Sequence, residues 1–302
     1  STLFPYTTLF RSLELKLPKP TAGQLSWSVK AWCLNSRKAN VDTFWRKQEK
    51  SKPLFPDIEW NRPERRDQAG RLGIVGGNKL GFAAVATSYQ AARDAGAGEV
   101  RVLLPDTLRR TVPAAMTDVL FAPTNPSGGL SGAAAGELAA LGEWANVMLL
   151  IGDAGKNSET AALYEQFVRQ YHRPVVLSRD AIDLVQNSFP AILDNPHVVF
   201  VASFAQVQKL FRSVYYPKIL TFSMQLAQFV EALHKFTITY PVTLAVFHAD
   251  QLVVARSGEV ITQAWAEPMQ LWRGQTAARA ASYLLWSPEA PLAAISTSVA
   301  TS

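Results

Sequence analysis

The chain has 302 residues and 33.1 kDa, with 48% hydrophobic and 18% charged side chains and a mean hydropathy of +0.02, which excludes a disordered chain and a mini-protein. No apolar run approaches the ~18 residues of a membrane-crossing helix. The lone Cys33 allows neither an internal disulfide nor a Cys-x-x-Cys zinc set, which points to a reducing, cytoplasmic setting. A net charge of +6 invites nucleic acid as a partner, yet residues 1–70 hold 13 Lys+Arg against 7 Asp+Glu and residues 71–302 hold 17 of each. The body is neutral, and nucleic acid becomes a minor alternative.

In chain order, Thr2 to Ser12 read like one translated frame of a short-read sequencing adapter, and the first methionine is Met116. The expectation is an assembly artefact at the front, with the true start elsewhere, followed by a poorly ordered lead-in to about Asn40. Residues 41–69 alternate aromatics with proline and charge, and Phe44, Trp45, Leu54, Phe55, Ile58 and Trp60 suit an extended arm pinned onto the body or onto a neighbouring subunit of a homo-oligomer. Arg62, Arg65 and Arg66 offer a basic surface there, but prolines and carboxylates interrupt it.

From residue 70 to 302 the pattern predicts one α/β domain. A strand at Leu72–Val75 meets Gly76-Gly77-Asn78, a helix at Phe82–Ala95 and a strand at Glu99–Leu104, the arrangement of a parallel crossover. Asp106 is placed to cap a helix over Thr107–Met116, and another helix is expected near Ser131–Gly142. Strands are predicted at Val147–Ile151, Pro174–Leu177, Val198–Ala202 and Val242–Phe247, with helices at Ser158–Tyr171, Phe204–Arg212 and Ser223–Phe236 and a short one after Asp180. A hairpin turning at Ser257-Gly258 and a last helix at Leu271–Leu285 close the domain. The expected architecture is an open, mostly parallel sheet with helices on both faces, and ligands bind beyond the C-terminal strand ends in such folds.

The glycine turns fall at those ends. Paired glycines such as Gly76-Gly77 let backbone N–H groups approach a phosphate, although complete P-loop and dinucleotide fingerprints are absent. Asp180 follows a strand in the ligand crevice; Asp153 suits either the crevice or a cap for the helix starting near Ser158. Trp265, Trp272 and Trp286 could stack an adenine or fill core. His172, His197 and His234 have no spacing that suggests a metal site.

The order of Gly-Arg-Leu-Gly-Ile-Val-Gly-Gly-Asn at 70–78, Ala83-Ala84, Ala95-Gly96-Ala97-Gly98, Ile151-Gly152-Asp153-Ala154-Gly155-Lys156-Asn157 with Glu159-Thr160, and Ser178-Arg179-Asp180-Ala181 resembles the ADP/ATP-dependent NAD(P)H-hydrate dehydratase family. The resemblance covers roughly residues 70 to 286. It implies a ribokinase-like, three-layer α/β/α fold with a mostly parallel central sheet, ADP or ATP as cofactor with Mg2+ as its companion ion, and an NAD(P)H-hydrate-like small molecule as partner. It implies catalytic roles for Asp180 and Thr276, substrate contacts at Ala84, Gly155, Asn157 and Ser203, and nucleotide contacts at Gly76, Gly77, Asn78, His248, Arg273, Gly274 and Gln275. The chain departs from the family where Ser203 and Gln206 stand for its His and Glu, where His248-Ala249 replace Lys-Gly, and where Arg273-Gly274-Gln275-Thr276 replace Gly-Thr-Gly-Asp. A threonine hydroxyl cannot serve as a carboxylate base near neutral pH. Three readings follow: a divergent dehydratase, a lyase; a catalytically silent nucleotide-binding or assembly protein on the same fold; and a small-molecule kinase.

Overall fold

A computed structural model describes residues 44–301. The expectations for residues 1–43 lie outside the described residues. In chain order the elements are β1 (Trp45–Gln48), α1 (Asp57–Trp60), β2 (Arg71–Val75), α2 (Ala83–Ala95), β3 (Glu99–Pro105), β4 (Val119–Ala122), α3 (Ala135–Trp144), β5 (Val147–Leu150), α4 (Ser158–Gln170), β6 (Val175–Ser178), α5 (Asp180–Leu184), α6 (Phe189–Ile192), β7 (Val198–Ala202), α7 (Phe204–Ser213), α8 (Leu226–Thr239), β8 (Thr243–His248), β9 (Gln251–Arg256), β10 (Glu259–Ala264), α9 (Pro268–Trp272), α10 (Gln275–Trp286) and α11 (Pro291–Ala300).

The strands form one sheet of ten in the order β1-β10-β9-β8-β7-β6-β5-β2-β3-β4. β9 pairs antiparallel with β8 and β10, and every other pairing is parallel. The central strands are short apolar runs buried on both faces, as VMLL in β5 and VVFVA in β7, because helices cover both sides of a parallel sheet. Alternation along each strand divides the core: Met148 and Leu150 face the layer holding α3, α4, α7 and α8, whereas Val147, Leu149 and Ile151 face α2, α10 and α11. This is a three-layer α/β/α sandwich.

Three local expectations need correction. The helix expected over Thr107–Met116 is one tight turn, Asp106–Leu108. Pro113 lacks the N–H that an interior helical residue donates, and the chain then forms the edge strand β4, whose four residues were too few to signal a period. The helix expected at Leu271–Leu285 is broken at Gly274 into α9 and α10, and it is not the last, because α11 follows it. Part of the arm also enters the sheet: β1 runs parallel to β10, with Trp45 beside Val260. Its Gln48 side chain is buried and bonds to Gln263 and to the Ser296 carbonyl at 2.8 and 2.7 Å.

Candidate functional site

β2 and β5 are neighbours, yet the chain leaves them in opposite directions. β2 continues through α2 on one face to β3, and β5 through α4 on the other face to β6. Side-by-side strands whose connections diverge open a crevice at their C-terminal ends, where open α/β sheets bind ligands. Gly76–Asn78 follow β2 there, and Gly152–Asn157 follow β5. Only glycine fits at 152, since a Cβ would lie 1.8 Å from the Asp180 carboxylate.

Asp180 lies at the floor of the crevice, but its carboxylate is engaged. It accepts the backbone N–H groups of Asp153, Ala154 and Gly155 at 2.8, 3.1 and 3.2 Å. The side chain thus shapes the turn after β5, in which Asp153 has φ +62° and Gly155 φ +79°. Nearby, the Tyr164 hydroxyl is buried without a partner, and burial, then the negative charge of Asp180, raises its pKa. Asp153 is engaged as well. It does not cap α4; it accepts the Ala84 N–H at the start of α2 at 2.7 Å and the Arg179 guanidinium at 2.7 Å. The cap of α4 is Asn157, whose side chain accepts from Glu159 and Thr160 and donates to Ser127. Asn157, expected among the substrate contacts, spends its side-chain oxygen on the N–H groups two and three residues on.

Arg179 is the crevice residue that the sequence reading passed over. It follows β6 with φ +57°. One terminal nitrogen pairs with Asp153, the other donates to the Trp272 carbonyl at the end of α9, and Nε is buried with no partner.

The opposite wall is the start of α10. Gly274, at φ +89°, is its N-cap, and a Cβ there would meet Ser88 at 2.7 Å and Ile151 at 2.9 Å, so the turn packs directly on the sheet and on α2. The first bond that reaches back to this cap runs from Ala278 to the Gly274 carbonyl. The N–H groups of Gln275, Thr276 and Ala277 therefore lie ahead of it, where helices leave donors open and favour anions. Thr276 is 3% exposed and its hydroxyl has no partner. Arg273 is exposed, and Trp272 is 46% exposed. Gln275 lines an adjacent groove of about 360 Å³ with Thr87, Gln90 and Arg279.

The remaining expected residues are drawn into the fold. The N–H groups of Gly76, Gly77 and Asn78 donate to the carbonyls of Leu103, Gly152 and Gly81. Their expected role as a phosphate cradle meets donors that are already paired. The Asn78 side chain bonds to the Leu80 N–H and the Ser127 carbonyl. Ser203 caps α7 in a reciprocal box with Gln206, so the two residues that replace the family's His and Glu hold each other. His248 is buried against the rings of Phe204 and Phe229, each 4.8 Å away, and its Nε2 lies 2.9 Å from the Met224 carbonyl. It pins the segment before α8 and is not turned toward the crevice. Trp265 is buried, and Trp286 is part-buried with its indole N–H on the Ala69 carbonyl, so both are core.

No family model matches the chain. Among solved structures, a ribokinase-like superfamily protein from Enterococcus faecalis superimposes with TM-score 0.65 at 16% identity, covering 86% of this chain and 87% of its own. The fold is ribokinase-like. The ADP/ATP-dependent NAD(P)H-hydrate dehydratase from Bacillus subtilis, crystallised with ATP and Mg2+, shares this ribokinase-like fold with TM-score 0.54 at 12% identity, over 82% of this chain and 86% of its own. In sequence, the chain is similar to a bifunctional NAD(P)H-hydrate repair enzyme from Methanothermobacter thermautotrophicus, 27% identical over 162 residues. That match takes in 51% of this chain and 31% of the relative, so the chain spans about a third of that relative's length.

Proposed function

We propose that this ribokinase-like chain binds an adenine nucleotide, ADP or ATP, at the N-terminal end of α10 and does not carry out hydrate dehydration. The observation that carries this reading is the pairing at the start of α10 of a buried, unpartnered Thr276 hydroxyl with the open backbone donors of the first helical turn. A terminal phosphate satisfies both. Arg273 adds positive charge, and half-exposed Trp272 offers a face for the base.

The dehydratase chemistry lacks its base in this chain. Thr276 stands where the dehydratase motif has Asp, Asp180 is committed to three backbone donors, and Asp153 to Ala84 and Arg179. The place from which the motif's Asp would move a proton is therefore held by a hydroxyl, which does not act as a carboxylate base near neutral pH. A kinase reaction would need the same missing base to activate a hydroxyl. The start of α10 does not itself fit Mg2+, because its open groups are backbone N–H donors, which do not coordinate a cation. The reading also takes the protein as cytoplasmic, supported by its single cysteine; no helix among the described residues is long and apolar enough to cross a membrane.

The test incubates the purified chain with hydrated NADH and ADP or ATP and follows absorbance at 340 nm, beside thermal unfolding with ATP. The expected result is a rise in the unfolding midpoint with ATP, because a ligand of the folded state stabilises it, and no nucleotide-dependent recovery of NADH. Recovery of NADH would establish a divergent dehydratase. An unmoved midpoint at millimolar ATP would remove the nucleotide.

A further inference from the structure

We infer that Arg179 is a latch that holds the crevice shut in the free protein and must let go before a ligand enters. Three separate chain segments meet at this one side chain. Its guanidinium joins the Asp153 carboxylate, in the turn after β5, to the Trp272 carbonyl, at the end of α9. Asp153 in turn holds the Ala84 N–H that opens α2. The turns that follow β5 and β6, the start of α2 and the end of α9 are thereby tied together beside the crevice.

The tie is built to be released. A guanidinium has five N–H donors, and here Nε is buried without an acceptor, while one terminal nitrogen settles for a neutral carbonyl. An incoming anion makes a stronger, charge-assisted partner than that carbonyl, so the latched state is the poorer of two available arrangements. The backbone of Arg179 sits at φ +57°, a conformation that a non-glycine residue holds only when its surroundings enforce it. Both observations put the side chain in place by what it grips rather than by its local preference. Because a site that is closed most of the time binds with an affinity reduced by its open fraction, loosening the Arg179 tie raises the rate at which a ligand can enter.

The latch rests on the nucleotide reading only for the identity of what enters; the closure itself is measured without ligand. Amide hydrogen exchange is followed in Arg179→Ala, Asp153→Asn and Arg179→Lys of the full chain. In Arg179→Ala, exchange in residues 270–278 should rise at least tenfold, with α4 and residues 82–86, whose Ala84 N–H is still held by Asp153, unchanged, and ATP should associate at least tenfold faster. Asp153→Asn keeps an oxygen for Ala84 but loses the ion pair, so it should loosen 270–278 and leave 82–86 protected. Arg179→Lys, which keeps the charge but cannot bridge two acceptors, should fall between. Unchanged exchange at 270–278 in Arg179→Ala overturns the latch, as does equal loosening throughout the molecule in both Arg179→Lys and Asp153→Asn. Local loosening with no ATP binding by any variant upholds the latch and removes the nucleotide instead.

Discussion

Thr276 concentrates the residue-scale question, because a hydroxyl that is 97% buried with no partner costs stability unless something uses it. Replacing it with valine, which has nearly the same shape, should raise the unfolding free energy by about 1 kcal/mol in urea titrations. The same substitution should weaken ATP binding several-fold in the thermal-shift assay, since the phosphate loses a donor. A stability gain with unaltered ATP affinity would assign the hydroxyl no ligand. Asp180 shows the opposite case. Its place after a strand was legible in the sequence, but its three backbone partners belong to a turn 25 to 27 residues earlier, and no local pattern announces such a bond. Asn157 and Ser203 are legible as helix caps, two or three residues before the N–H groups they serve.

At the scale of elements, β1 shows how a segment that reads as an arm becomes part of the sheet. Four residues have no measurable period, and proline and charge surround them. What settles β1 against β10 is a set of side-chain bonds: the Trp45 indole to Thr262 at 2.9 Å, Arg46 to Glu259 at 2.8 Å and Gln48 to Gln263 and Ser296. Gln48 also accepts the Leu54 N–H at 3.0 Å. Gln48→Ala would take this partner from two buried groups and the half-buried Leu54 N–H at once and should lower the unfolding free energy by about 2 kcal/mol, read as a lower urea midpoint at constant slope. A loss below about 0.5 kcal/mol would mean that β1 does not depend on this residue. The long crossover units, in contrast, were readable because their helices carry sustained spacing and their strands end in glycine or proline.

For the whole molecule, the charge that dominates the composition lies before residue 71, and the folded body answers to pH through buried phenols. Burial pushes the Tyr171 and Tyr283 phenols up to about 12 and raises Tyr164 as well, each from an ordinary value of 10.0. Below pH 10 the phenols are neutral in both folded and unfolded chains, so their contribution is complete. As pH rises from 10 to 12 the unfolded chain ionises first, and stability is lost. The unfolding midpoint should therefore fall steadily across that range, and Tyr171→Phe and Tyr283→Phe should each flatten the fall. A midpoint that stays level to pH 12 would contradict this assignment.

The alternation of strands and helices and the crevice at the glycine turns after β2 and β5 are legible in the sequence, because periodicity and turn chemistry are local properties of the chain; the ribokinase-like class came only through the resemblance of its ordered motifs to a known family. Tertiary structure alone decided which polar groups in that crevice remain open. Asp180, Asp153 and Arg179 have the side chains of a reactive site, yet each is committed to a partner far away in sequence. Hydrogen bonds at such separations exist only once the sheet has brought the turns together, so no local pattern in the chain reports them.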